Sequence, residues 1–319
     1  MTPNLRAALF ALLAFAIFAG HDVVVKLLGA LYSPVQIVFF GALFAFPLAT
    51  LMMLRDKTHG TLIPVHPWWL ALRTGAAVLT ALSAFYAFSV LPLAQVYAII
   101  FATPLFITLL SVPLLGERVG PHRAGAVISG LAGVLVVLRP GTEALTLGHL
   151  AALCTAGCGA LASVIVRKVG RDERPVVLLL LPMMANVILM GAMLGFVYKP
   201  MPAGHLGMLA VIAVLSWFAG RLMVAAYSSG EAAVVAPMQY SQILWASAYG
   251  WLIFDERIDR WTAIGAGIII ASGVYIVWRE GRGGHSVNRP VLRARPRPET
   301  GTNPRSISSI LRGIDGRRP

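Results

Sequence analysis

Ten apolar runs, each about 20 residues long, follow one another through the first 280 residues of the chain. They lie near 5–27, 34–54, 69–89, 93–115, 122–138, 147–167, 176–196, 205–227, 231–254 and 261–278. The linkers between them are as short as "YSP" (32–34), "LPL" (91–93) and "SSGE" (228–231), so no connection has room for a soluble domain. Inside a bilayer every backbone N–H and C=O must be satisfied by the chain itself, which leaves helices or closed barrels. The runs are continuous rather than alternating, and that selects helices. Composition agrees: 58% of residues are hydrophobic and 12% charged, with a mean hydropathy of +0.78, where soluble domains carry about 25% charged residues. The expectation is an all-α integral membrane protein with ten transmembrane helices. Arg6 ahead of the first run gives it the look of a secretory signal, but nine further runs make an uncleaved first helix the better reading.

Charge sets the orientation. Of the formal net charge of +13, about half comes from residues 279–319, which hold ten Arg against three acidic residues among Gly, Pro and Ser. Such a segment, 280–319, cannot build a core and is expected to be a disordered basic tail. Without an aromatic–basic platform, anionic lipid heads are its natural partner rather than nucleic acid. With the N-terminus inside, the cytoplasmic loops together with Arg6 and Arg73 carry ten Lys/Arg, against four on the other side (Arg139, Lys199, Arg257 and Arg260). This bias places both termini in the cytoplasm of a cell inner membrane.

The chain also repeats itself. "YAFSVLPLAQVYAIIFATPLFITLLSVPLLGER" (86–118) aligns with "AAYSSGEAAVVAPMQYSQILWASAYGWLIFDER" (225–257) at a constant offset of 139, so that Ala87, Ser89, Ala94, Val96, Leu105, Glu117 and Arg118 meet identical residues. "GAVISGLAGVLVV" (125–137) matches "GAGIIIASGVYIV" (265–277), and "VVKLLG" (24–29) matches "IVRKVG" (165–170). Five spans per half is an odd number, so the second half, 146–279, lies upside down relative to the first, 4–140. Inverted repeats of this kind are the architecture of secondary transporters, with the substrate site near the midplane.

Ten spans in two halves, a base ending the first helix of each half, and the "GER" and "DER" ends of the fourth and ninth spans resemble the EamA group of the drug/metabolite transporter superfamily. The resemblance covers about 4–280. It departs in the second span, where "PVQIVFFGALF" carries Gln36 but not the Arg that members often have there. The resemblance implies transport of small metabolites, often export of amino acids and similar compounds. It also implies a central pathway enclosed by the third, fourth, eighth and ninth spans.

Ionisable and amide residues at membrane depth are the natural site candidates. "GHDVVVKLLG" (20–29) brings His21, Asp22 and Lys26 to the end of the first span. Asp22 and Lys26 are four apart and suit an i,i+4 ion pair. That pair either neutralises itself or presents Asp22 to substrate or a proton. Lys26 aligns with Arg167 and is expected to anchor the helix at the interface by snorkelling. Asp22 and His21 align with Ser163 and Ala162, so the acid and the imidazole belong to the first half alone. The ninth span is the most polar, with Gln239, Tyr240, Gln242 and Trp245 following Pro237, a residue that permits a kink. The fourth offers Tyr97 and Thr103, the third Tyr86, and the eighth Arg221, which either snorkels or attracts an anionic group. Cys154 and Cys158 sit one turn apart as packing residues; neither a metal site nor a catalytic group is expected, and no cofactor.

The chain lacks a G-x-x-x-x-G-K-[ST] loop, so energy must come from a gradient or from the substrate's own concentration, with protons as a candidate coupling ion. The leading expectation is an exporter of small polar or aromatic metabolites working by alternating access. The alternatives are uptake of a vitamin or nucleoside-like compound, or a non-transporting scaffold or sensor. An enzyme acting on lipid-linked substrates would need its acids clustered at one membrane face, and here they are scattered.

Overall fold

A computed structural model describes residues 3–54, 62–116, 121–139, 145–170, 172–230 and 232–282. The tail from 283, together with Glu117, Arg118 and Glu231, lies outside the described residues. The described chain is helical throughout: α1 (Pro3–Gly29), α2 (Pro34–Leu54), α3 (Pro67–Val90), α4 (Leu93–Ile100), α5 (Thr103–Leu115), α6 (Pro121–Leu138), α7 (Leu147–Val169), α8 (Pro175–Val197), α9 (Ala203–Ser229), α10 (Ala232–Val235), a 3-10 turn (Ala236–Ser241), α11 (Gln242–Phe254) and α12 (Arg260–Arg282). Among these residues six helical stretches are long and apolar enough to cross a membrane: Asn4–Gly29, Pro67–Val90, Leu93–Leu115, Leu147–Val169, Val176–Val197 and Ala203–Ser229. Pro34–Thr50, Ala124–Leu138 and Arg260–Ile276 are shorter apolar helices.

Proline opens several of these helices, because its missing N–H is one the first turn does not use and its φ suits the helix. Pro34, Pro67, Pro121 and Pro175 each stand first. Among the described residues three helix ends are followed by a left-handed residue, one of them Arg139 after α6 with φ +46°. Gly116 follows α5 with φ +68°, and Asp255 follows α11 with φ +53°. The two positions are related by the 139-residue offset, so the same cap recurs in both halves.

Packing obeys the same exchange. The most extensive helix contacts are α1 with α9, α3 with α7, α6 with α12 and α2 with α8. Swapping the first half's helices for their second-half counterparts turns α1–α9 into α7–α3, and maps α2–α8 and α6–α12 onto themselves. Each half therefore packs chiefly against the other. At the α6–α12 crossing a Cβ on Gly265 would fall 2.6 Å from the Gly133 carbonyl, and one on Gly133 would fall 2.9 Å from the Gly265 carbonyl. Only glycine lets two backbones come this close, as small residues do at membrane helix interfaces. The apolar surface left outside is large: Phe196 is 92% exposed, Leu244 70% and Ile128 68%. That is an expensive surface in water and an ordinary one against lipid.

Gln36, at the place of the departure noted above, is fully buried and has a structural partner. Its Nε2 donates to the Lys199 carbonyl at 2.7 Å, and its Oε1 accepts from the Lys199 N–H at 3.0 Å. The amide thus clamps α2 to the end of α8. Cys154 and Cys158 lie half-buried with their sulfurs 3.8 Å apart, both as free thiols.

Candidate functional site

The fourth and ninth apolar runs, read as continuous, are both broken. In the fourth the helix stops at Ile100 and restarts at Thr103; in the ninth a 3-10 turn, Ala236–Ser241, separates α10 from α11. Pro104 cannot donate a backbone hydrogen bond to Ile100, four residues earlier, and the Thr103 hydroxyl takes that carbonyl instead at 2.6 Å. Thr103 is thereby used locally, to mend the break. Pro237 stands at the start of the 3-10 turn in the second half. By the 139-residue offset, Phe101 and Ala102 coincide with Tyr240 and Ser241, so the two interruptions occupy corresponding places.

Four of the expected residues meet between these breaks. Asp22 on α1 is 1% exposed and His21 2%. His21 Nδ1 lies 2.7 Å from Asp22 Oδ1. The Tyr97 hydroxyl, from α4, donates to Asp22 Oδ2. Gln242, the first residue of α11, donates from Nε2 to the Tyr97 oxygen at 3.3 Å. Aromatic rings wall the chain of bonds. Phe85 meets His21 edge-on with centroids 6.0 Å apart, Phe88 and Phe101 flank Tyr97 at 5.4 and 6.0 Å, and Phe101 meets Tyr240 at 5.1 Å. A polar network buried in this way is strong when its members are satisfied and costly when one is lost.

The other candidates sit elsewhere. Tyr240 is buried with its hydroxyl against Gly273, where a Cβ would lie 1.7 Å from it. Tyr86 and Gln239 are half-buried, and Trp245 is 37% exposed. Arg221 is exposed and stacks over Trp217 at 5.1 Å. The structure does not bring these into the Asp22 network.

In place of the i,i+4 pair expected for Asp22 and Lys26, the two residues turn to different partners. Lys26 is only 11% exposed, so it does not snorkel. Its ammonium bonds Glu256, donates to the Leu91 carbonyl at 2.6 Å and lies 5.1 Å from the Phe254 ring centre. The second oxygen of Glu256 accepts the Leu93 N–H at 3.1 Å, at the start of α4. The left-handed turn at Asp255 delivers this carboxylate; the Glu256 N–H bonds the Gly250 carbonyl at 2.9 Å. One ion pair therefore ties α1, the α3–α4 link and the end of α11 together, joining the two halves. A partly open cavity beside it is lined by Gln95, Ser247, Glu256 and Asp259. Lys26 and the "DER" acid were each visible in the sequence as repeated features, but their contact was not.

Two broken apolar runs thus meet at a buried polar network. Compared with known proteins, residues 5–139 and 146–278 each match the EamA-like transporter family. The chain belongs to the EamA-like transporter family. It is accordingly a multi-pass membrane protein and a transporter rather than an enzyme. Curated relatives are similar at modest identity. A riboflavin transporter of Rhizobium johnstonii is 27% identical over 251 residues, covering 76% of this chain and 79% of that one. A pseudopaline exporter of Pseudomonas aeruginosa is 26% identical over 274 residues, covering 83% and 93%. An S-adenosylmethionine uptake transporter of Rickettsia felis is 24% identical over 270 residues, covering 84% and 91%. A solved crystal structure at 19% identity superposes with a TM-score of 0.55 over 88% of this EamA-like chain and 99% of its own, a likeness of fold alone.

Proposed function

We propose that this protein is a secondary transporter that exports a small polar or aromatic metabolite, amino-acid-like or similar, across the inner membrane by alternating access. In this reading ten spans form two inverted five-helix repeats, 4–140 and 146–279, with both termini and the basic tail 280–319 in the cytoplasm. The observation that carries it is the pair of breaks at 101–102 and 236–241, in corresponding places of the two halves, meeting at the Asp22–Tyr97–Gln242 network. Broken spans give a substrate access to backbone and side-chain polar groups at membrane depth. Asp22, His21, Tyr97 and Gln242 form the polar centre of the pathway, with Tyr86, Thr103, Gln239, Tyr240 and Trp245 as its further lining. The exchange of helix contacts between halves supports rocking of one against the other about this centre.

A second reading reverses the direction. The relatives include an S-adenosylmethionine uptake transporter and a riboflavin transporter, which favours uptake of a vitamin or nucleoside-like compound by the same site. Flux in proteoliposomes containing the full chain tests both. Labelled aromatic amino acids, riboflavin and S-adenosylmethionine are offered with the gradient in each direction. Saturable flux of one class supports the transporter reading, and its faster direction under an imposed gradient decides between export and uptake. A panel that moves no faster than through empty liposomes would turn the assignment toward a non-transporting scaffold or sensor.

A further inference from the structure

Resting on that reading and deepening it, we propose that the His21–Asp22 pair is the binding site of a coupling proton, and that Tyr97 and Gln242 carry its protonation state to the two broken spans.

Burial is the first argument. At 2% and 1% exposure, and with both Asp22 oxygens already engaged, the pair can take up a charge without admitting a larger ligand between its members. The second argument is the direction of the bonds. Gln242 donates to Tyr97, Tyr97 donates to Asp22, and His21 Nδ1 lies on the other carboxylate oxygen. Tyr97 donates to Oδ2, which leaves that oxygen unprotonated, while His21 Nδ1 stands where a proton is shared with Oδ1. When the pair takes up one further proton and it resides on Oδ2, an O–H bond forms at the oxygen that accepted from Tyr97, and the new O–H takes over that contact as donor. Tyr97 must then turn, and its bond from Gln242 turns with it. Tyr97 lies one turn before the break in the fourth span and Gln242 directly after the 3-10 turn in the ninth, so both interruptions feel the change.

The third argument is that a histidine shares the site. Its ring nitrogen 2.7 Å from Asp22 Oδ1 gives an added proton a second place to rest, so the two side chains hold it as one unit. Charged and titratable groups on the surrounding elements have their own engagements. Lys26, one turn along α1, holds Glu256 and Leu91. On α3, Arg73 donates to the Leu178 carbonyl at 2.6 Å and Tyr86 is half-buried. On α9, His205 bonds Tyr32 at 2.7 Å, Arg221 stacks on Trp217, and Tyr227 is half-buried near the far end. Tyr240 faces Gly273 from the 3-10 turn, and Tyr249 is half-buried on α11. The fourth argument is the repeat. Ser163, at the place of Asp22, spends its hydroxyl on the Gly159 carbonyl of its own helix at 2.6 Å. The pair therefore has no counterpart at the corresponding place of the second half, and a proton held here is taken from one aqueous phase and returned to the other.

The test uses protons alone as the probe, on the full chain in lipid nanodiscs. Two readouts are followed from alkaline to acid pH. One is the infrared C=O band of a protonated buried carboxyl group. The other is the distance between spin labels on the exposed residues Leu31 and Ile258 across the closed end. The wild type is expected to show both changes with one midpoint between about pH 5 and pH 8. Asp22→Asn is expected to lose both, Gln242→Ala to keep the carboxyl band and lose the distance change, and His21→Gln to move the midpoint by a unit or more. An unaltered midpoint in Asp22→Asn overturns the proposal. If Asp22→Asn fails to fold, an unaltered midpoint in His21→Gln overturns it equally, and so does a wild type that shows no titration. A distance change in Gln242→Ala equal to the wild type's refutes the transmission step. Because no substrate is added, failure here leaves the transporter reading standing, and a panel of compounds that fails to move leaves the titration intact.

Discussion

Removing the charge from either end of the Lys26–Glu256 pair should loosen the seal between the two halves. Exposed ion pairs contribute about 0–1 kcal/mol, while breaking a fully buried one costs about 3–5 kcal/mol. The side chains here are 11% and 21% exposed, which places the pair between these limits, at about 1–3 kcal/mol. Both residues also hold backbone groups, the Leu91 carbonyl and the Leu93 N–H, so each single variant leaves one more group weakly partnered. The assay is a double-mutant cycle with Lys26→Met, Glu256→Gln and the double variant, read by reversible unfolding in mixed micelles. A coupling of about 1–2 kcal/mol is expected, equivalent to a fivefold to thirtyfold shift between sealed and open forms. Label distances between Leu31 and Ile258 should lengthen in the same order. Additive single effects, with a coupling below about 0.5 kcal/mol, would refute the claim that this contact ties the two halves together.

Gly265→Ala forces a methyl group against the Gly133 carbonyl at 2.6 Å and should destabilise the α6–α12 crossing by about 1–3 kcal/mol; Gly157→Ala, with nothing within 4 Å, should be neutral or slightly stabilising in the same melt. Gln36→Leu abandons both backbone groups of Lys199 and should cost about 1–3 kcal/mol, measured by the same unfolding. Asp259 is partly desolvated, which raises its pKa, but its bonds from Thr262 and the Trp261 N–H, with Arg139 at 2.7 Å, hold it below the ordinary 3.8. A depressed acid lends stability that is present above its unfolded pKa and lost as pH falls through the folded one. Wild type minus Asp259→Asn should therefore show a stability difference at neutral pH that persists to about pH 4 and declines as pH falls further, in melts across that range.

Much of this fold was legible because lipid imposes a one-dimensional rule. A run such as 34–54 must be a helix wherever it packs, and α2 spans that same range. At the 139-residue offset Gly116 and Asp255 occupy one place and share one backbone conformation, although nothing local marks Asp255 as left-handed. The break at 101–102 was harder to see. Pro104 opens an ordinary apolar stretch, and proline is tolerated in spanning helices when a neighbour takes the freed carbonyl, as Thr103 does. The site was half legible. His21, Asp22, Tyr97 and Gln242 stand out as polar residues in apolar runs, but their meeting depends on how three helices cross. Lys26 was misread as an interfacial anchor because its partner, Glu256, is 230 residues away. Arg221 stood out equally, yet stacks on Trp217 outside the network, because a cation over an aromatic face needs no pathway to be stable.

The central claim is that substrate passes between the two broken spans at the Tyr97–Gln242 contact. Its most direct test is saturable flux of the transported compound in proteoliposomes, comparing wild type with Tyr97→Phe, Gln242→Ala and, as a comparison outside the network, Arg221→Ala. Loss of one buried hydrogen bond worth about 1–3 kcal/mol predicts a fall of about fivefold to a hundredfold for the first two, with Arg221→Ala within about twofold of wild type. Wild-type flux in folded Tyr97→Phe and Gln242→Ala would contradict the account.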